Sequence, residues 1–302
     1  MTLLSTAVVV RVPATSANLG PGFDSLGLAL DVHDELIAMV TEDEGVLVEV
    51  DGEGADSIAR DESHLVVQAM RVAFAALGEQ PVGFVLRCRN VIPQGRGMGS
   101  SAAAIVGGLV LARGMVLDGE TRLPDDALLA LATSMEGHPD NVAAALYGGF
   151  TIAWGASGTE VGAVRCDVHA DVVPVVLVPG DQVLTAKART VLPEQVSHED
   201  AAFNVSRAAL LVHAISHAPE QLLIATDDRL HQSARAGVYP DTYALVLALR
   251  EQGIPAVVSG SGPTVLALAS PTTLATAIGQ APAGWIATRL AVAPHGAVVV
   301  PR

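Results

Sequence analysis

Cysteine is nearly missing from this chain: only Cys88 and Cys166 are present, far apart and at no metal-binding spacing. Both are expected as buried core thiols, and such sparing use fits a reducing compartment rather than a disulfide-stapled scaffold. Basic residues are scarce as well, 17 Lys and Arg against 32 Asp and Glu, for a formal net charge of -15. A surface of that sign excludes non-specific nucleic-acid binding, which needs cationic groups to displace counterions. An anionic ligand must then be held by local donors and by metal, against the overall field. Long hydrophobic runs are missing too. The longest apolar-plus-glycine stretch, residues 102–112, stops at Arg113 and is too short to span a bilayer. Residues 1–12 carry no basic group ahead of their apolar part, so no signal peptide is expected, and the chain reads as cytoplasmic with no membrane partner. There is no repeat and no low-complexity tract.

What is present is a globular composition. The 302 residues are 50% hydrophobic and 16% charged, enough for one large or two medium domains with a full core. The organising stretch is residues 93–104, in which Gly95, Gly97 and Gly99 alternate, Ser100 and Ser101 follow, and an apolar helical run begins (Ile105, Val106, Leu109, Val110). Glycines at that spacing let the backbone turn tightly and approach a ligand without Cβ clashes. A helix that starts at the serines offers unpaired N–H groups and a partial positive charge. Loop, serines and helix start together form a cradle for polyphosphate, although no Gly-Lys-Ser/Thr closes it as in a P-loop.

Taken in order, residues 7–12 read as a strand ended by Pro13. The polar loop 13–24, with Asn18 and Asp24, is longer than a connection needs and has the character of a functional loop. Residues 37–40 and 46–50 suggest a hairpin, 63–76 a helix, and 84–91 a strand leading into the glycine loop. Gly107 and Gly108 each cost about 1 kcal/mol in a helix interior, which implies close packing against another element there. Helical patterns over 124–135 and 142–146 flank Glu136, His138, Asp140 and Asn141, a polar cluster with no packing purpose that points to a site. A strand is expected over 150–154 and a domain boundary in the small, polar segment 156–162.

Beyond that boundary, residues 172–178 read as a strand interrupted by Pro174. Ser197 and Asp200 carry a helix-start signature for a helix running to about His217. Arg235 falls in a helix before Pro240, and 241–252 form another helix closed by Gly253. Residues 256–258, the loop from Ser259 to Pro263, and 264–269 read as strand, tight loop, strand; a helix (272–277) and a last strand (297–300) follow. The alternation suggests an α+β sandwich with a mostly antiparallel sheet.

The blocks 13–24, 93–104 and 259–264, in this order, resemble the motifs of the GHMP small-molecule kinases, and the similarity covers nearly the whole chain. That resemblance implies a fold of class α+β with two domains: a ribosomal-S5-like β/α domain that binds ATP, residues 1–155, and a ferredoxin-like α+β domain, residues 156–302. ATP and a small substrate would lie between them. The ATP phosphates would be wrapped by Pro93, Gln94, Gly95, Arg96, Gly97, Met98, Gly99, Ser100, Ser101, Ala102 and Ala103. Ser101 and Glu136 would hold Mg²⁺, as hard oxygen ligands suit that ion. Met98 stands where the family commonly has Leu, a neutral exchange of similar volume. His64 stands near the expected adenine position, where many members have Asn.

Within the family, block 13–24 and residues 136–141 resemble the members that phosphorylate L-homoserine to O-phospho-L-homoserine, the branch step toward threonine. The implied substrate residues are Asn18, Asp24, His138, Asp140, Thr185, Arg189 and Arg235. The chemistry is coherent: arginines offer a fork for the carboxylate of a zwitterion, and Asp24 a partner for its ammonium. Asn141 stands where some relatives place an Asp base. It would orient the hydroxyl without taking its proton, and Asp140 is the alternative base. A kinase acting on a sugar, mevalonate or a shikimate-like alcohol, and a non-catalytic sensor on the same fold, stay open at this point. The resemblance also admits a homodimer.

Overall fold

The computed structural model describes residues 3–180 and 188–301. Strand β1 (Val8–Ala17) runs antiparallel to the long β2 (Leu26–Thr41), with Val8 opposite Ala38 and Ala17 opposite Gly27. The strand does not end at Pro13 as expected. Its register shifts between Pro13 and Ala14, an irregularity at which a residue without an N–H is tolerated. The expected hairpin of residues 37–40 and 46–50 does not form either. Strand β4 (Gly83–Asn90) lies between β2 and β3 (Gly45–Gly52), and β3 pairs with it in parallel, Val46 opposite Phe84. Parallel neighbours need a crossover, and α1 (Leu65–Ala76) supplies it.

Helix α2 (Ser100–Gly114) packs against α1 and the sheet. A Cβ on Gly108 would meet Val66 O at 2.7 Å and one on Gly107 would meet Leu36 Cδ1 at 2.6 Å, which is the close packing inferred from those glycines. After the short α3 (Gly119–Arg122) come α4 (Asp125–Glu136) and α5 (Asp140–Tyr147), then β5 (Phe150–Trp154) on β2. The unforeseen β6 (Gly162–Cys166) pairs with β5, and the C-terminal β11 (Val298–Val299) returns to β1. Cys88 is buried on β4, its thiol pushed up to about 12 by burial and by nearby Asp34. Cys166, expected in the core, is only half-buried because β6 is an edge strand.

The second sheet is antiparallel in the order β10 (Ile286–Arg289), β7 (Val173–Val178), β9 (Val265–Ala269), β8 (Ala256–Val258). β7 runs through Pro174, which sits opposite Leu268. Its alternate residues serve two cores. Val176 joins the large cluster that contains Val10, Leu28 and Leu86, while Val175 and Leu177 pack with Leu245 and Leu249. Helix α6 (His198–His217) starts as expected, with the Ser197 side chain accepting from the Asp200 N–H, and buries Leu211, Ala214 and Ile215 in the large cluster. Further helices among the described residues are α7 (Leu222–Ala225), α8 (Gln232–Arg235), α9 (Pro240–Glu251) and α10 (Leu274–Gly279). Among the described residues no helix is long and apolar enough to cross a membrane.

Candidate active site

The glycine loop is built by exclusion. Gly97 and Gly99 have φ of 76° and 70°, in the left-handed region. A side chain on Gly97 would collide with Ser259 O, and one on Gly99 with Thr15 Oγ1. Gly99 is also the N-cap of α2 and provides no side-chain hydrogen bond, so the first turn keeps N–H groups for a ligand. The three sequence blocks interlock here. Ser259 Oγ lies 2.6 Å from Gly97 O and 2.8 Å from Ser16 Oγ, Gly260 N donates to Ala17 O (3.1 Å), and Thr264 N donates to Arg96 O (3.2 Å).

A cleft of about 720 Å³ opens beside the loop, lined by Gly95, Gly97, Gly99, Ser100 and Ser101 on one side. Its other lining residues include Asn18, Asp24, Glu136, His138, Asp140, Asn141, Arg189 and Arg235. Thr185 lies outside the described residues. Of the other loop residues, Met98 and Ala102 are buried behind the cleft, and Gln94 and Ala103 line a neighbouring cavity. Pro93 and Arg96 line neither, and the Arg96 guanidinium is turned to carbonyls at the end of β7, Pro179 O (3.1 Å) and Gly180 O (2.8 Å).

Ser101 Oγ donates to Glu136 Oε2 at 2.8 Å. Burial holds the Glu136 carboxyl above the ordinary carboxylate range, with Ser101 and nearby His138 pulling the other way. Asp140 is 1% exposed, and its Oδ1 accepts from Asn141 N and pairs with His138 Nδ1, both at 2.7 Å. Burial alone would lower the His138 pKa, but the hydrogen bond and charge of Asp140 outweigh it, and the net shift is upward. Asn141 Oδ1 accepts from Thr15 Oγ1 (2.7 Å), which leaves its NH₂ group for the cleft.

Asn18 serves the loop itself. Its Oδ1 accepts from Asp24 N (3.0 Å) and its Nδ2 donates to Gly260 O (2.8 Å), holding a turn in which Asn18, Leu19 and Asp24 all have positive φ. Strain of that kind persists where surrounding contacts over-determine the backbone. Asp24 and Arg189 form a bidentate pair, Oδ1 to Nη2 at 2.6 Å and Oδ2 to Nη1 at 3.2 Å. Both Arg189 and Arg235 place Cζ 5.6 Å from the centre of the Phe23 ring. Sequence reasoning passed over Thr15 and Phe23, which lie inside the first block, and Ser261 and Gly260, which lie inside the third. His231, described below, had no local signal.

A second, smaller cavity shares Ser100 with the cleft and is lined by Val12, Asp34, Leu36, His64, Asn90 and Gln94, among others. His64 caps α1, its Nδ1 accepting from Val66 N at 3.2 Å. That bond puts the proton on Nε2, which is buried and has no hydrogen-bond partner among the described residues.

A glycine loop feeding an uncapped helix, beside a cleft that holds both carboxylates and arginines, defines the class: a small-molecule kinase. The family described as GHMP kinases N terminal domain matches residues 64–149, and GHMP kinases C terminal matches residues 208–287. Homoserine kinase of Streptomyces coelicolor is 54% identical over 295 residues, covering 98% of this chain and 95% of that protein. Homoserine kinase of Rhodococcus erythropolis is 47% identical, covering 87% and 86%. The crystal structure of homoserine kinase from Cytophaga hutchinsonii matches with a TM-score of 0.82 at 27% identity, covering 97% of both chains. Galactokinase of Lactococcus lactis shares the fold alone, at a TM-score of 0.69 and 14% identity. The chain belongs to the GHMP kinases and, within them, to the homoserine kinase family.

Proposed function

We propose that this protein transfers the γ-phosphoryl group of ATP to the hydroxyl of L-homoserine, giving O-phospho-L-homoserine for threonine biosynthesis. The observation that carries the reading is the meeting of Asp24, Arg189 and Arg235 with the glycine loop in one cleft. A zwitterionic amino acid needs a carboxylate for its ammonium and arginines for its carboxylate, and a sugar or mevalonate needs no such set. Asp24, His138 and Asp140 also bring their ligand atoms within 4.8 Å of one another, an acidic corner suited to an ammonium group.

In this reading the N–H groups of the loop and of the α2 start hold the ATP phosphates, and the mixed polar and apolar cavity at His64 takes the adenine. The donor set at Ser101 and Glu136 fits Mg²⁺: a hydroxyl and a half-buried carboxylate 2.8 Å apart at an uncapped helix start. When bound, that ion neutralises charge on the transferring phosphoryl group. Asn141 orients the homoserine hydroxyl or a phosphate oxygen through its free NH₂ group, and it takes no proton. Asp140, already accepting two hydrogen bonds on Oδ1, holds His138 and the start of α5 in place. Transfer then rests on positioning and charge compensation, and the hydroxyl proton leaves with phosphate oxygen or water.

The chain divides in this reading into an ATP-binding part, 1–155, and a C-terminal part, 156–302, which lends β6 and β11 to the first sheet. It acts in the cytoplasm. A coupled ADP-release assay over homoserine, galactose, mevalonate and shikimate tests the proposal. Turnover confined to homoserine supports it. Preference for another alcohol, or no turnover at all, overturns it.

A further inference from the structure

His231 is 0% exposed and its ring lies between the first block, at Gly20, and Arg235. Its Nε2 lies 2.8 Å from Gly20 O in the first block, and a carbonyl only accepts, so Nε2 carries the proton. Its Nδ1 lies 3.0 Å from Arg235 Nη1, and a guanidinium only donates, so Nδ1 is bare. The two bonds fix one neutral tautomer by geometry. The backbone is fixed as well: Asp228 Oδ2 accepts from His231 N (3.1 Å) and Gln232 N (2.9 Å), capping α8.

Arg235 is itself 1% exposed, and most of its donors are spoken for. Nε donates to Ala188 O (3.0 Å), and Nη1 faces His231 Nδ1 and, at 3.4 Å, Gly260 O. The buried Tyr239 hydroxyl also neighbours the guanidinium, and among the described residues the hydrogen bonds with resolved geometry start from Nε and Nη1, while Arg235 lines the cleft. A planar fork held by Nε and Nη1 has no freedom left in its plane, so the direction of Nη2 is set by its neighbours.

We infer that His231 is a positioning residue for homoserine binding: as a neutral imidazole bridging Gly20 and Arg235, it fixes the Arg235 guanidinium so that Nη2 meets the substrate carboxylate. This rests on the reading above. Its reach is homoserine affinity: among the described residues its side-chain hydrogen bonds are with Gly20 and Arg235, and not with the glycine loop, Ser101 or Glu136.

The test compares His231→Asn with His231→Gln. Asparagine puts its carboxamide near the Nδ1 position and preserves an acceptor for Arg235. Glutamine puts its carboxamide near Nε2, preserves the link to Gly20 and leaves Arg235 Nη1 without its acceptor. The expected result is a KM for homoserine within about 3-fold of wild type for His231→Asn and raised about 5- to 100-fold for His231→Gln. The KM for ATP stays unchanged in both, and kcat moves less than the homoserine KM. Equal damage from the two variants, or a parallel rise in the ATP KM, overturns the inference. Long-range ¹H–¹⁵N spectra of the wild-type protein read the tautomer without any variant or substrate. An imidazolium or an Nδ1–H form at pH 7 overturns it. Failure of the wild type to turn over homoserine would instead sink the reading of the substrate, leaving the tautomer and the fixed guanidinium to be judged by the spectra.

Discussion

Asp24→Asn is the most informative single change, because in this structure the two groups that would receive the charges of homoserine hold each other. The pair is bidentate, at 2.6 and 3.2 Å, and its side chains are 32% exposed at Asp24 and 37% at Arg189. A pair that open to solvent contributes about 0.5–1 kcal/mol. A charged hydrogen bond from Asp24 to a bound ammonium is worth about 1.5–3 kcal/mol. Because Arg189 is also released from its partner in the variant, the net loss is about 0.5–2.5 kcal/mol, about 2- to 60-fold in affinity for homoserine at about 1.4 kcal/mol per decade. For 4-hydroxybutyrate, which has the carboxylate and hydroxyl but no ammonium, the sign reverses. Arg189 no longer has to leave a partner, so this anion should bind about 2- to 5-fold tighter to Asp24→Asn than to the wild type.

Isothermal titration of both ligands into both proteins, each saturated with a non-hydrolysable ATP analogue, gives the four constants. Mirror behaviour is expected for Arg189→Gln, which should bind 3-aminopropan-1-ol more tightly than the wild type does. If 4-hydroxybutyrate binds Asp24→Asn no better than wild type, the two side chains act independently. The argument that the pair selects ligands bearing both charges would then be wrong.

Glu136→Gln should lower kcat by about 100-fold or more, about 2.7 kcal/mol of lost charge stabilisation, while ATP still binds; near-normal kcat at saturating Mg²⁺ would remove Glu136 from the metal site. Asp140→Asn should raise the homoserine KM more than it lowers kcat, whereas a fall in kcat of about 10²–10⁴-fold with unchanged affinity would make Asp140 the base. The same variant should drop the His138 pKa, which is now held above its ordinary 6.5 by Asp140 against the pull of burial. The stabilisation from that pair is full below 6.5 and fades as pH rises through the folded value, so the wild-type advantage in thermal melts should shrink over that window, and an unchanged C2–H titration of His138 would refute the pairing. Gly99→Ala should destabilise the loop by about 1–3 kcal/mol and weaken ATP more than homoserine, because φ there is 70° and the methyl group would strike Thr15 Oγ1; an ATP KM equal to wild type would show that the loop does not cradle phosphate.

The sequence alone determined features whose causes are local. Alternating glycines followed by serines and an apolar run specify a tight loop opening a helix, and α2 starts at Ser100. Ser197 with Asp200 specifies a capped helix start, and α6 has one. Gly107 and Gly108 foretold a close neighbour, since only a packing demand offsets their cost. The polar cluster from Glu136 to Asn141 stood out because core packing has no use for it, and Glu136, His138, Asp140 and Asn141 line the cleft.

Tertiary structure decided whatever depends on partners distant in the chain. Residues 46–50 carry a strand pattern, but nothing in them distinguishes a hairpin with β2 from a parallel pairing with β4 across a helix. Edge strands β6 and β10 bury too little to leave a periodic signal, and prolines 13 and 174 are accepted only because the sheet accommodates them. Asp24 and Arg189 are each legible as a charge, yet their pairing across 165 residues is a property of the cleft. His231 is the sharpest case: alone it is a buried imidazole, and only Gly20 O and Arg235 Nη1 on either side of the ring decide which nitrogen holds the proton. Hydrogen-bond direction is set by the partner, and a sequence does not reveal who the partner is.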